Sequence, residues 1–128
     1  EALEYLDCSN NAIEVLPRTM GDLKELRVLR LNHNNIRIIP PELCFCMELR
    51  ELHLGSNRIS VMKGNLWQWT QMTVVDISNN DLLFVPHDFG RLRLKSISIE
   101  GNPKIRLPAA VTEGGTPTVM AYLQTLGE

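Results

Sequence analysis

Asparagine stands at positions 11, 34, 57, 80 and 102 of this chain of 128 residues, so the intervals are 23, 23, 23 and 22. The same spacing carries several apolar columns. Counting from Leu3 as the first position of a unit, that position reads Leu3, Leu26, Leu49, Met72 and Leu94. The fourth reads Leu6, Leu29, Leu52, Val75 and Ile97, and the sixth Cys8, Leu31, Leu54, Ile77 and Ile99. Further along come Leu16, Ile39, Met62, Val85 and Leu107, then Pro17, Pro40, Lys63, Pro86 and Pro108, then Met20, Leu43, Leu66, Phe89 and Val111. A unit this short cannot bury its own apolar face, so units of this kind must stack and share one continuous core.

Each column has a physical meaning. The apolar fourth and sixth positions alternate with mostly polar neighbours, the period of a short strand with one buried face. The asparagine at the ninth position follows the strand, where the chain leaves the sheet. Its carboxamide has two donors and an acceptor, and it is expected to satisfy turn backbone in its own unit and the next. Asn11, Asn34, Asn57, Asn80 and Asn102 would then form a ladder along the stack. The proline sets φ for an extended or 3₁₀-like return segment.

The pattern LxxLxLxxNxIxxLPxxLxxL resembles the 23-residue leucine-rich repeat, in particular the intracellular Ras-group type with its LP step. Leu26 to Glu48, LRVLRLNHNNIRIIPPELCFCME, is one such unit. The resemblance covers nearly the whole chain. It implies an α/β solenoid, an arc with a parallel sheet on the concave side and irregular or 3₁₀ turns on the convex side. The expected organisation is one domain, 1–128, with repeats starting near 3, 26, 49, 72 and 94 and a C-terminal cap over 103–128.

Both ends of the chain support expectations. Thr116-Pro117 suits a helix N-cap and first turn, and Gly127 a helix end. Val119, Leu123 and Leu126 share one helical face, which would cover the last repeat. The GNP…LP…GT…YL segment resembles the helical cap of the intracellular family, whereas extracellular relatives close with a cysteine-rich cap. At the other end Leu3 enters the first repeat with no polar capping element. The chain therefore reads as part of a longer array, or as one capped by a partner.

Composition narrows the function. With 13 basic and 15 acidic residues the net charge is −2, which argues against a nucleic-acid module or a polybasic membrane anchor. No stretch approaches the roughly 20 apolar residues of a membrane span. Three cysteines favour a reducing compartment over a disulfide framework, so a cytoplasmic location is expected. GxxxxGK[ST], GxGxxG, GxSxG and HExxH are all absent, and neither an enzyme nor a cofactor is expected. The register points Cys44 outward and Cys46 inward, so the Cys44-Phe45-Cys46 pair is read as no metal site. His33 and His53 are placed too far apart to share a metal, with His87 on the convex side.

The remaining reading is recognition of another protein. The resemblance implies the concave sheet, in an intracellular signalling adaptor, with a small GTPase as one class of partner. The outward residues of the third and fifth positions give the patch Tyr5, Asp7, Val28, Arg30, His53, Val74 and Asp76, which has an interface-like mixture of aromatic, apolar and charged groups. The alternative reading of the same residues is an ordinary solvated face that keeps the sheet soluble. Asp7 with Arg30, and His53 with Asp76, are expected as cross-strand pairs. Elsewhere, Val15, Ile38, Val61 and Phe84 form a column beside Leu83, either covered by neighbouring turns or left as an exposed stripe that would serve a second interface. Trp67 replaces small residues of its column and is a candidate convex anchor; alternatively its unit rearranges and tucks Trp67 and Trp69 inward. A fixed subunit of a large assembly, and the recognition arm of a larger enzyme such as a GTPase–kinase or ubiquitin ligase, are the competing functions.

Overall fold

The structure, a computed structural model, describes residues 2–126, apart from the side chains at positions 112 and 126. Five three-residue strands lie side by side, all parallel: β1 (Tyr5–Asp7), β2 (Val28–Arg30), β4 (Glu51–His53), β6 (Val74–Asp76) and β7 (Ser96–Ser98). Neighbours are consecutive repeats in identical register, so Leu6, Leu29, Leu52, Val75 and Ile97 face each other down the sheet. Two shorter strands, β3 (Ile38–Ile39) and β5 (Val61–Met62), pair as a second small sheet on the flank, an element with no clear signal in the sequence.

The core follows the columns. Leu26, Leu29, Leu49, Leu52, Leu54, Ile36 and Ile59 are fully inaccessible. Burying each such side chain contributes about 1.5–3 kcal/mol. Each repeat then returns through a 3₁₀ turn on the convex side, over Arg18–Asp22, Pro41–Phe45, Leu66–Gln68 and His87–Arg91. The proline column starts these turns. Pro17, Pro40 and Pro86 sit extended just before the turn, and their carbonyls accept from the N–H groups of Met20, Leu43 and Phe89. Lys63 replaces proline in the third unit, where Gly64 takes φ +112° and the turn shrinks to three residues. Trp69 points inward, fully buried, and Trp67 stays 44% exposed, which decides between the two readings of that unit.

The asparagines bind backward along the stack rather than forward, a correction to the sequence expectation. Asn57 Nδ2 donates to the carbonyls of Leu54 and Gly55 in its own repeat and of Leu31 in the preceding one, and Oδ1 accepts from Ile36 N–H. Asn34, Asn80 and Asn102 repeat the arrangement. The reason lies one residue earlier. Asn10, His33, Ser56, Asn79 and Gly101 all have positive φ, between 53° and 76°. This left-handed residue reverses the chain direction and aims the next side chain under the strand just completed.

The C-terminus also departs from expectation. A short helix α1 (Ala109–Glu113) precedes the longer α2 (Gly115–Leu126), so Thr116 and Pro117 lie inside α2's first turn and do not cap it. The Thr116 hydroxyl instead accepts from Ile97 N–H on the outer edge of β7. Val119 and Leu123 are buried as expected; Gly127 and the side chain of Leu126 lie outside the described residues. Helix α2 packs closely over Gly90, where a Cβ would stand 2.8 Å from the Leu123 backbone carbon.

Truncating the ladder should therefore be costly only where its backbone partners are buried. Asn57→Ala should destabilise the protein by about 1–3 kcal/mol per unpaired group. Asn11 is exposed and donates only to Cys8 and Ser9 carbonyls, so Asn11→Ala should shift the denaturation midpoint far less. Equal midpoint shifts in urea titrations would contradict this account.

Candidate functional site: the concave sheet

The outward side chains of the five parallel strands form two rows along the arc. One row is Tyr5, Val28, Glu51, Val74 and Ser96, and the other Asp7, Arg30, His53, Asp76 and Ser98. Strand spacing of about 4.8 Å gives each row a length of about 19 Å, and two residues along a strand separate the rows by about 6.6 Å. Tyr5 is 54% exposed, while Val28, Arg30, His53, Val74 and Asp76 are half-buried among their neighbours. The structure thus brings all seven sequence-derived residues onto one face.

Their polar contacts differ from the expected ones. Asp7 and Arg30 are register partners, as are His53 and Asp76, yet neither pair makes an ion pair. Arg30 and His53 both turn to Glu51, with Arg30 Nη2 at 3.9 Å and His53 Nε2 at 3.0 Å from Glu51 Oε1. Asp7 and Asp76 bend back to the strand ends. Asp7 accepts from Ser9 N–H, and Asp76 accepts from both the N–H and the hydroxyl of Ser78. These local donors are two residues away in sequence and need no ordering of a long side chain, so they win over the cross-strand partners. Hydrogen bonding from Ser9, helped weakly by Arg30 and His53, holds the Asp7 carboxyl below the usual carboxylate range.

Glu51 is the residue that the sequence-derived patch left out. Its signal was present as a diagonal relation, one strand across from Arg30 and two residues along from the row of charges. Because the Arg30 and Glu51 side chains are each 39% exposed, their pair is worth about 0.2–1 kcal/mol. That is too little to hold the sheet and little enough for a partner to displace.

The convex cysteines need a correction. Cys44 points inward and is 2% exposed, since the altered turn at Gly64 lays over its sulfur. Burial pushes its thiol up to about 11 and raises that of Cys46 as well. Cys46 Sγ donates to the Met20 carbonyl at 3.0 Å, and one repeat later Trp69 Nε1 donates to the Leu43 carbonyl at 3.2 Å. The two cysteines and Trp69 are thus core groups. Histidines 33, 53 and 87 sit on separate segments, and no cluster of three or more His, Cys, Asp or Glu side chains suited to a metal forms among the described residues.

Comparison with known proteins agrees with this geometry. A family model described as leucine-rich repeats (2 copies) matches residues 1–43. A leucine-rich repeat protein of Leptospira interrogans superposes with a TM-score of 0.77 at 28% identity, over 81% of this chain and 26% of that one. The chain is a leucine-rich repeat protein. The leucine-rich repeat ectodomain of the plant membrane receptor kinase GASSHO1/SCHENGEN3 of Arabidopsis thaliana, solved in complex with Casparian strip integrity factor 2, superposes with a TM-score of 0.71. That match has 26% identity over 79% of this chain and 13% of the receptor chain. The chain thus spans about a quarter or less of the length of these two neighbours. Leucine-rich repeat folds commonly bind other proteins and are typically non-catalytic. Among the described residues no helix is long and apolar enough to cross a membrane.

Thiol reactivity provides a direct check. At about pH 8 the buried Cys44 and Cys46 stay protonated, and the thiolate is the reactive form. Iodoacetamide should therefore label only the half-buried Cys8 in the folded protein and all three cysteines after unfolding in urea. Rapid labelling of Cys44 in the native state, seen by peptide mass spectrometry, would contradict the inward placement.

Proposed function

We propose that this leucine-rich repeat protein is an intracellular adaptor that recognises a protein partner through its concave sheet. The observation that carries the reading is the pairing of an apolar row, Tyr5, Val28 and Val74, with a charged row about 6.6 Å away. Interfaces combine such apolar and aromatic contacts with polar groups that fix orientation. Glu51 interrupts the apolar row and is held by Arg30 and His53. A partner that brings its own carboxylate to Arg30 would exchange one weak pair for another that is shielded from water. The three free cysteines, two of them buried, fit a reducing compartment. A signalling role, with a small GTPase as partner, rests on the resemblance to the Ras-group repeats. The second reading, a fixed assembly subunit, is favoured by the exposed Trp67 on the convex side.

Two substitutions separate these functions. Arg30→Glu leaves every core column intact, so the fold should lose only about 1 kcal/mol, chiefly the pair with Glu51. It should weaken capture of the concave-face partner about tenfold or more, by setting a carboxylate against Asp7, Glu51 and the partner. Trp67→Ala should leave that capture unchanged. The measurement is a quantitative pull-down followed by titration of the recovered partner. Loss with Trp67→Ala and retention with Arg30→Glu would replace the adaptor reading with the convex-face one.

A further inference from the structure

In the column of Val15, Ile38, Val61 and Phe84, Val61 is half-buried and the other three stand clear of the neighbouring turns. Val15 is 79% exposed, Ile38 60% and Phe84 58%, with Leu83 beside it at 51%. Pairing of Ile38 with Val61 in the small flank sheet fixes the stripe in register, so it runs across four repeats on the edge between the concave and convex sides. Large apolar groups this exposed and this aligned are uncommon on a surface that meets only water.

A hollow lies at each end of the stripe. Between the first two repeats a hollow of about 510 Å³ has an apolar floor of Val15, Leu16, Ile38 and the proline rings, with Arg18 and Arg37 on its rim and Glu14 as its one carboxylate. At the other end Leu83, Phe84 and Tyr122 line a hollow of about 260 Å³ with Arg106 beside it. None of these three arginines makes an ion pair among the described residues. The two hollows therefore carry three cationic groups against one anionic group, on a chain whose net charge is −2.

We propose that this flank is a second docking site, for an extended acidic segment of a partner protein that inserts one large apolar side chain into each hollow. Three steps of about 4.8 Å separate the ends of the stripe by about 14 Å, the reach of about four extended residues. The occupant therefore carries apolar residues at i and i+4 with carboxylates around them. Two separate concavities suit individual side chains better than a bilayer surface, and the unpaired arginines supply the charge complementarity.

The probe is a fluorescein-labelled peptide of nine glutamates in which the third and seventh are replaced by phenylalanine, titrated with the 128-residue protein by fluorescence anisotropy. Saturable binding is expected, weakened about tenfold or more by Ile38→Asp and by Arg37→Glu. Arg30→Glu on the concave sheet should leave it unchanged, which separates this site from the proposed concave one. Ile38 and Arg37 are exposed, and circular dichroism checks each variant; if Ile38→Asp unfolds, Arg37→Glu and Arg18→Glu decide. Several results would overturn the proposal: no saturation by about 1 mM protein, equal binding of the peptide with lysine for glutamate, or loss with Arg30→Glu. Sedimentation and flotation with phosphatidylserine vesicles test the other occupants. An Ile38-dependent dimer, or Ile38-dependent vesicle binding, would assign the stripe to a second copy or to a membrane instead.

Discussion

A chain that turns out of a sheet every 23 residues must hydrogen-bond the backbone of each turn without water, because the next repeat covers it. The carboxamides of Asn34, Asn57, Asn80 and Asn102 meet that need. Each accepts an N–H from the preceding turn and donates to carbonyls of two successive strands, so one side chain ties three segments together. Apolar burial supplies most of the stabilising free energy, but it is non-directional and would tolerate a slipped stack. The carboxamides fix the register, since a displaced repeat would strand several buried polar groups at once. A left-handed residue before each asparagine is part of the same device, and its N–H continues the ladder between repeats, as from Ser56 to the Ser78 carbonyl.

With the register held from inside, the outward residues are free of structural duty. The contacts on the concave face are weak, half-buried pairs around Glu51, and the carboxylates at the strand ends bond to their own turns. Those residues can change without loss of the fold, which is what allows one solenoid to present different recognition surfaces. The convex side is more constrained. Gly90 admits helix α2, and the inward thiol and indole of Cys46 and Trp69 bond carbonyls one repeat back.

Much of this was legible in the residues. The interval of the asparagines and the apolar columns determined the stack and the proline-led return turns, because each column has one physical role that repeats; the parallel sheet was implied by the resemblance to leucine-rich repeats. The seven concave residues were placed on one face by counting positions along a strand. Where periodicity broke, legibility ended. Lys63 in the proline column signalled that the third unit differs, but whether Trp67 stays outward or tucks in with Trp69 was decided only by the folded turn, which leaves Trp67 exposed. The exposure of Val15, Ile38 and Phe84 contradicts their apolar character, and no sequence pattern says that a column of such residues faces water.

The sequence alone therefore determined the repeat, its register and the identity of the core, since these depend on chemistry recurring at a fixed interval. Tertiary structure decided which partner each polar group takes. Arg30 chose Glu51 over Asp7, Thr116 served the edge of β7 rather than its own helix, and the asparagines reached back rather than forward. Such choices are settled by distances of a few ångströms between atoms on different repeats. Competing donors of equal chemistry leave no mark in the order of residues, and only their positions in space separate them.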